Sequence, residues 1–366
     1  METVDYSFLQ ALWFVLIAVL WIGFFVLEGF DFGVGMLIRA VGRNNADRRA
    51  IMHTIGPMWD GNEVWLITAG GAMFAAFPYW YATLFSGFYL ALFLVLVALI
   101  IRGVSFEFWG KSDNPRWRTG WEWAMAVSSF LAALLFGVAW ANILRGVPIN
   151  GDQNFTGDLF TLLNPYGLLG GVATVLLFIS HGSIFLNLRT GGELPERARA
   201  ISRYASPAAA VVGVAFLVWT VIIVGGSATI AVAVIAAIAA ILLGTAAVSM
   251  LVRRPGLAFG FSVGAIATFF ATFFVGLFPA VMPSSISPVF DLTIANTSSS
   301  SMTLTVMTIV TVVMLPIVLG YTAWTYWVFR QRVSPEGFDP HTKNPIDLMR
   351  GSGPTEESGP TSATSG

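Results

Sequence analysis

Apolar residues run in nine stretches, each close to the roughly 20 residues a helix needs to cross a bilayer, near 8–38, 50–74, 79–104, 121–144, 166–188, 205–225, 228–251, 257–281 and 303–330. Lipid offers backbone N–H and C=O groups no partner, so spans of this length are predicted to be helices. The breaks between them carry charge, Gly or Pro, and the shortest is Gly225-Gly226-Ser227, between the sixth and seventh. Glu2 and Asp5 precede the first stretch where a secretory signal would carry basic residues. It therefore reads as a retained span.

The basic residues orient these spans. Arg39, Arg43, Arg48 and Arg49 follow the first, and Arg102, Lys111, Arg116 and Arg118 the third. Arg189, Arg197, Arg199 and Arg203 follow the fifth, and Arg253 and Arg254 the seventh. Arg330, Arg332, Lys343 and Arg350 follow the ninth, so of the 19 Lys and Arg only Arg145 falls after an even-numbered span. The positive-inside rule then predicts an external N-terminus and a cytoplasmic C-terminus. Residues 1–332 form one transmembrane domain, followed by a cytoplasmic tail, 333–366, whose polar, low-complexity end at 351–366 is expected to be disordered.

A weak repeat divides the spans. Phe25-Val-Leu-Glu28-Gly29-Phe-Asp-Phe32 in the first lines up with Phe178-Ile-Ser-His181-Gly182-Ser-Ile-Phe185 in the fifth. Each is followed by a basic loop and a Pro at the start of the next span, Pro57 or Pro207. The expected fold is an all-α integral membrane protein of nine transmembrane helices: two four-helix bundles, in halves 1–150 and 160–285, plus a ninth helix at 303–330.

Composition agrees: 56% of residues are hydrophobic and 11% charged, against about 25% charged in soluble domains. The chain has no Cys, which excludes disulfides, thiolate-ligated haem and iron–sulfur clusters on it. A net charge of −1 gives no basic patch for nucleic acid.

Against that background the acids inside the spans stand out, because a charge at a helix centre costs roughly 2.5–3.5 kcal/mol on insertion scales. Asp60 and Glu63 lie three residues apart, on one helical face. On the second span Asp60 lies about ten residues, or roughly 15 Å, in from the cytoplasmic side. Asp31 sits at a similar level on the first span, and Glu28 and Glu63 lie one turn deeper. Arg102 and Glu107 end the third span, so acids and a counter-ion are predicted to converge in the inner half of the membrane. Such a group is suited to holding or passing protons. It also admits a purely structural reading, in which the acids cap helices or pair with Arg102. Asn62 and Trp59 adjoin the acid pair, and Trp59 and Trp65 are candidates to line a cavity. His181 is the one His well inside a span, with His53 at a helix start and His341 in the tail. A polar contact between helices fits a lone His better than a haem-ligand pair. The other Trp and Phe residues are expected mainly at lipid-facing or interfacial positions.

GPMWDGNEVWLITAGG (56–71), GFDFGVGMLIRAVGRN (29–44) and FSGFYLALFLVLVALIIRGVSFEF (85–108) closely resemble segments of subunit II of the cytochrome bd-type quinol oxidases. So do WANILRGVPI (140–149), NPYGLLGG (164–171), FPAVMPSS (278–285) and NTSSSSMTL (296–304), so the resemblance runs to about residue 332. It implies a haem-free, nine-helix subunit of an oxygen-reducing, electrogenic respiratory enzyme of the bacterial inner membrane. It also implies a heterodimer with a homologous subunit I, which carries two b haems, haem d and the quinol site, with room for a small single-helix accessory subunit. In the family the aspartate of the WDGN motif, here Asp60, serves a proton pathway, and Glu28 and Asp31 match polar positions at the end of the first helix. The outward loop between the sixth and seventh helices is longer in several members. Two other readings stand beside this one. In a proton-coupled transporter, sites usually lie near the midplane in both repeats, whereas here the second half offers only His181. In a structural scaffold the acids would have no proton role.

Overall fold

The computed structural model describes residues 5–338, so the expected disorder of 351–366 lies outside the described residues. Twelve α-helices follow one another: α1 (Phe8–Val41), α2 (Asn45–Ile55), α3 (Trp59–Ala76), α4 (Pro78–Gly87), α5 (Tyr89–Phe108), α6 (Pro115–Arg145), α7 (Leu159–Leu162), α8 (Pro165–Arg189), α9 (Leu194–Val224), α10 (Thr229–Leu251), α11 (Pro255–Leu277) and α12 (Ser301–Val328). A two-stranded antiparallel ribbon, β1 (Ala280–Met282) with β2 (Leu292–Thr293), precedes α12. Among the described residues, eight helices are long and apolar enough to cross a membrane: α1, α5 with its extension to Lys111, α6 and α8 to α12. The protein is a multi-pass, all-α membrane protein.

Helix ends follow local chemistry. Ser7 and Gln10 form a capping box that starts α1, with the Gln10 N–H donating to Ser7 Oγ at 3.3 Å and the Ser7 N–H to Gln10 Oε1 at 2.8 Å. α6 and α8 each begin Asn-Pro, the Asn side chain capping and the Pro, whose missing N–H costs nothing there, at the first helical position. Gly225 and Gly226, at φ of 53° and 65°, make the turn from α9 to α10 that the sequence places there.

Several expectations need correcting. The second stretch is two helices: Pro57 has no N–H with which to continue the ladder, so α2 stops and α3 starts afresh at Trp59. The third is likewise broken at Phe88, between α4 and α5. Pro207, expected at the start of a span, lies inside α9, which begins at Leu194. Many aromatics expected to face lipid are core: Trp13, Trp21, Trp80 and Trp140 are buried, and Phe25 stacks on Phe270 at 3.7 Å.

Helix α1 is the centre of the packing, touching α3, α6, α8 and α11. The segments matched as a repeat meet where α1 crosses α8. A Cβ at Gly33 would overlap the Phe178 carbonyl oxygen and lie 2.8 Å from Gly182 Cα, so the backbones themselves are in contact. Helices α8 to α11 pack on one another, and α12 lies against α1 and α3 with only Leu304 buried.

The two ends of the bundle differ. At one, Arg39 and Arg48 (3.1 Å) pair with the buried Glu122 and Arg197 with Asp47 (2.6 Å), while the Val333 N–H donates to the Arg189 carbonyl at 2.9 Å. At the other, the Val147 N–H donates to the Pro283 carbonyl at 3.1 Å, and the Ser299 N–H donates to the Ala76 carbonyl at 2.8 Å. Helix α3 therefore runs from the basic end to the ribbon end. Its 18 residues make about 27 Å of helix.

Candidate functional site

Four helices bring polar side chains together near the basic end. Glu28 and Asp31, three residues apart on α1, share a face and are completely buried. Arg102 of α5, also buried, forms an ion pair with Glu28, and its Nη1 lies 3.7 Å from Glu63 Oε1 on α3. The guanidinium sits over the rings of Phe32 (4.8 Å) and Trp59 (5.9 Å), which spread its charge onto two π faces. Trp59 is held by stacking on Phe106 at 5.1 Å.

Asp31 is positioned from α3. Asn62 Nδ2 donates to Asp31 Oδ2 at 2.7 Å, and Tyr326 Oη of α12 donates to Asn62 Oδ1 at 2.8 Å. Asp31 Oδ1, Glu28 Oε2, Glu63 Oε1 and Arg102 Nε and Nη2 are buried with no hydrogen-bond partner among the described residues. Buried polar atoms are nearly always paired, so five unpaired ones in a single enclosure set it apart from its surroundings. Two carboxylates, Glu28 and Glu63, face one guanidinium, with Asp31 buried one turn from Glu28.

Glu28, Asp31, Glu63, Arg102, Asn62 and Trp59 thus come together. Asp60 and Glu107 do not join them. Asp60 is the second residue of α3, exposed and without an ion pair among the described residues, within electrostatic reach of Glu63. It stands at the start of a helix, not ten residues into one, so the expected depth fails for the same reason the second span divides. A carboxylate in a first turn suits the positive end of the helix dipole. Glu63 is 18% exposed and connects the enclosure to the rim that Asp60 occupies. Glu107 is exposed at the end of α5 and makes no ion pair among the described residues. Trp65 packs over Gly23 of α1.

The sequence reading passed over Tyr326, because a Tyr near a span end looks like an interfacial anchor. It also passed over Glu122, which accepts from Arg39, Arg48 and the Trp109 indole (3.2 Å) and fastens α1, α2 and α6 at the basic end.

His181 does not fit an axial haem ligand. Both ring nitrogens are in use, Nδ1 with Ser262 Oγ at 2.7 Å and Nε2 with the Val26 carbonyl at 3.2 Å, and the ring stacks on Phe259 at 4.9 Å. Among the described residues no group of three His, Asp or Glu side chains is arranged to hold a metal ion.

Fold and site together define a polytopic helical membrane protein with a buried, ion-paired acid cluster near one end. Comparison with known proteins gives the family. The model of cytochrome bd terminal oxidase subunit II matches residues 9–329, and the chain belongs to that family. It is 44% identical over 334 residues to cytochrome bd ubiquinol oxidase subunit 2 of Bacillus subtilis (strain 168), covering 89% of this chain and 97% of the relative. It is 40% identical over 374 residues to cytochrome bd-I ubiquinol oxidase subunit 2 of Escherichia coli (strain K12), covering 93% and 99%. In fold it resembles a chain of the bd oxidase from Geobacillus thermodenitrificans, with a TM-score of 0.72 at 16% identity over 88% of this chain and 99% of that one.

Proposed function

We propose that this chain is the haem-free subunit II of a quinol:oxygen oxidoreductase, and that it carries protons from the cytoplasmic side toward a haem-bearing subunit I. Subunit I supplies the two b haems, haem d and the quinol site. The observation that carries the reading is the enclosure of Glu28, Asp31, Glu63 and Arg102, with Asp60 exposed at its rim. Oxygen reduction consumes protons, and drawing them from inside the cell adds to the membrane potential. In this arrangement Asp60 collects protons at the rim, Glu63 passes them inward, and Glu28 and Asp31 hold them beside Arg102. The face of α3 beyond Asp60, where Val64, Ile67 and Phe74 are exposed, lacks packing within this chain and fits a heterodimer interface. The apolar cleft of about 560 Å³ between α3, α4 and α5, floored by Trp21 and Phe136, suits a hydrocarbon chain of a membrane lipid or quinone.

Asp60→Asn preserves shape and hydrogen bonding but cannot exchange a proton. The assembled complex carrying it should keep a normal haem spectrum and lose most quinol-driven oxygen consumption, roughly tenfold or more on the scale of a lost proton-transfer group. Asp60→Glu should recover part of it. Full turnover in a well-assembled Asp60→Asn complex would leave the structural-scaffold reading standing.

The topology that belongs to this reading has nine crossings, with α3 as the ninth, the N-terminus outside and the C-terminus in the cytoplasm of a bacterial inner-membrane protein. Helix α3 joins the two ends of the bundle, and the basic residues gather at one of them. Reporter fusions at Arg48 and Pro283 should read out on opposite sides of the membrane; both on one side would rule this topology out.

A further inference from the structure

The last helix touches the acid cluster at one point. Helix α12 has a single buried residue, Leu304, and is tied to the bundle near its two ends. At the ribbon end Trp13 Nε1 donates to the Leu304 carbonyl at 3.2 Å and to Thr308 Oγ1 at 3.0 Å. At the basic end Tyr326 Oη donates to Asn62 Oδ1 at 2.8 Å. Asn62 is buried, and its amide nitrogen is in turn 2.7 Å from Asp31 Oδ2.

An amide is a poor proton carrier, so the row Tyr326, Asn62, Asp31 does not read as a wire. It works as a clamp. The amide is held from two sides: Tyr326 Oη donates to Oδ1, while Nδ2 faces the Leu27 carbonyl oxygen at 3.5 Å as well as Asp31 Oδ2, both of them acceptors. With Oδ2 engaged, Oδ1 is the oxygen of Asp31 left without a partner among the described residues. Without the Tyr326 hydroxyl Asn62 Oδ1 loses its partner, and beside Asp31 only the long contact of Nδ2 with the Leu27 carbonyl is left to hold the amide's orientation. In the reversed orientation Asn62 would present an oxygen to a carboxylate oxygen, which is favourable only when that carboxyl carries a proton.

We propose that Tyr326 is a positioning residue for proton handling: acting through Asn62, it holds Asp31 so that Oδ1 is the oxygen that takes and gives the proton, and it makes that arrangement depend on the seating of α12. The inference rests on the proton-carrying reading of the cluster.

The test uses the assembled, haem-loaded complex with Tyr326→Phe, which keeps the ring, with Asn62→Leu, which keeps the size of the side chain, and with both together. Tyr326→Phe is expected to lower oxygen consumption about three- to tenfold, the rate equivalent of one lost hydrogen bond, and to displace the pH profile of turnover. The infrared difference band of the Asp31 carboxyl, assigned by its loss in Asp31→Asn, should move in Tyr326→Phe. The double variant should be no worse than Asn62→Leu alone, because Tyr326 acts only through Asn62. Wild-type turnover, pH profile and Asp31 band in Tyr326→Phe would overturn the proposal, as would additive losses in the double variant. Should Tyr326→Phe not assemble, the Asp31 band in Asn62→Leu decides: an unmoved band overturns the clamp. Full activity in Asp60→Asn and Asp31→Asn would instead remove the proton-carrying reading beneath it, so the two failures are distinguishable.

Discussion

Arg102→Met should destabilise the protein by about 3–5 kcal/mol, the usual cost of removing one partner of a buried ion pair. The variant is expected to accumulate poorly as an assembled complex. Glu28 is completely buried against this guanidinium, and the second carboxylate in its reach is Glu63 at 3.7 Å. Removing the cation leaves two acids without a counter-charge, where water cannot replace it cheaply. Arg102→Lys keeps the charge but loses the planar guanidinium that lies over Phe32 and whose Nη1 is near both carboxylates, so it should recover only part of the loss. Pairing Arg102→Met with Glu28→Gln removes both charges and should restore much of the assembly. Haem content per membrane and the thermal transition of the purified complex measure this directly. An Arg102→Met complex of normal yield and melting temperature would show that the pair is not what holds α5 to α1.

The second large effect is steric. Gly33→Val places a branched side chain where a Cβ alone would overlap the Phe178 carbonyl and sit 2.8 Å from Gly182 Cα. Ordinary overpacking costs about 1–3 kcal/mol because side chains can shift, but here backbone lies on both sides. Helices α1 and α8 would have to part, and with them the two groups of helices that α1 joins. The complex should fail to assemble, whereas Gly244→Ala on α10, with nothing within 4 Å of the new methyl, should be silent. Assembly of the Gly33→Val complex at normal levels would contradict the close crossing.

Much of this was legible in the sequence, for identifiable reasons. Membrane helices are announced by apolar length, and the alternation of basic loops organises them without any tertiary information. The acids declared themselves because charge in an apolar span is expensive. The depth read for Asp60 along the second span misled, since the break at Gly56-Pro57 sits inside an apolar run. A proline at that place is compatible with a helix start or a kink, and hydropathy does not distinguish them. Proline at 207, in the same apparent role, is accommodated within α9. Tyr326 was out of reach for a different reason. Its partner Asn62 is 264 residues away, and no local pattern encodes a hydrogen bond across that distance. Glu122 escaped because an acid near a span end reads as solvated, whereas two arginines from α1 and α2 fold over it.

The central claim is that protons for oxygen reduction pass through this chain, and proton uptake resolved in time tests it most directly. Fully reduced complex is mixed with oxygen in a weakly buffered solution containing a pH-sensitive dye, and haem oxidation and proton uptake are followed together. For Asp60→Asn we expect the first electron transfers to oxygen to proceed at the normal rate, while proton uptake and the haem steps that wait on it slow by at least about tenfold. Proton uptake in Asp60→Asn with wild-type rate and amplitude would contradict the account.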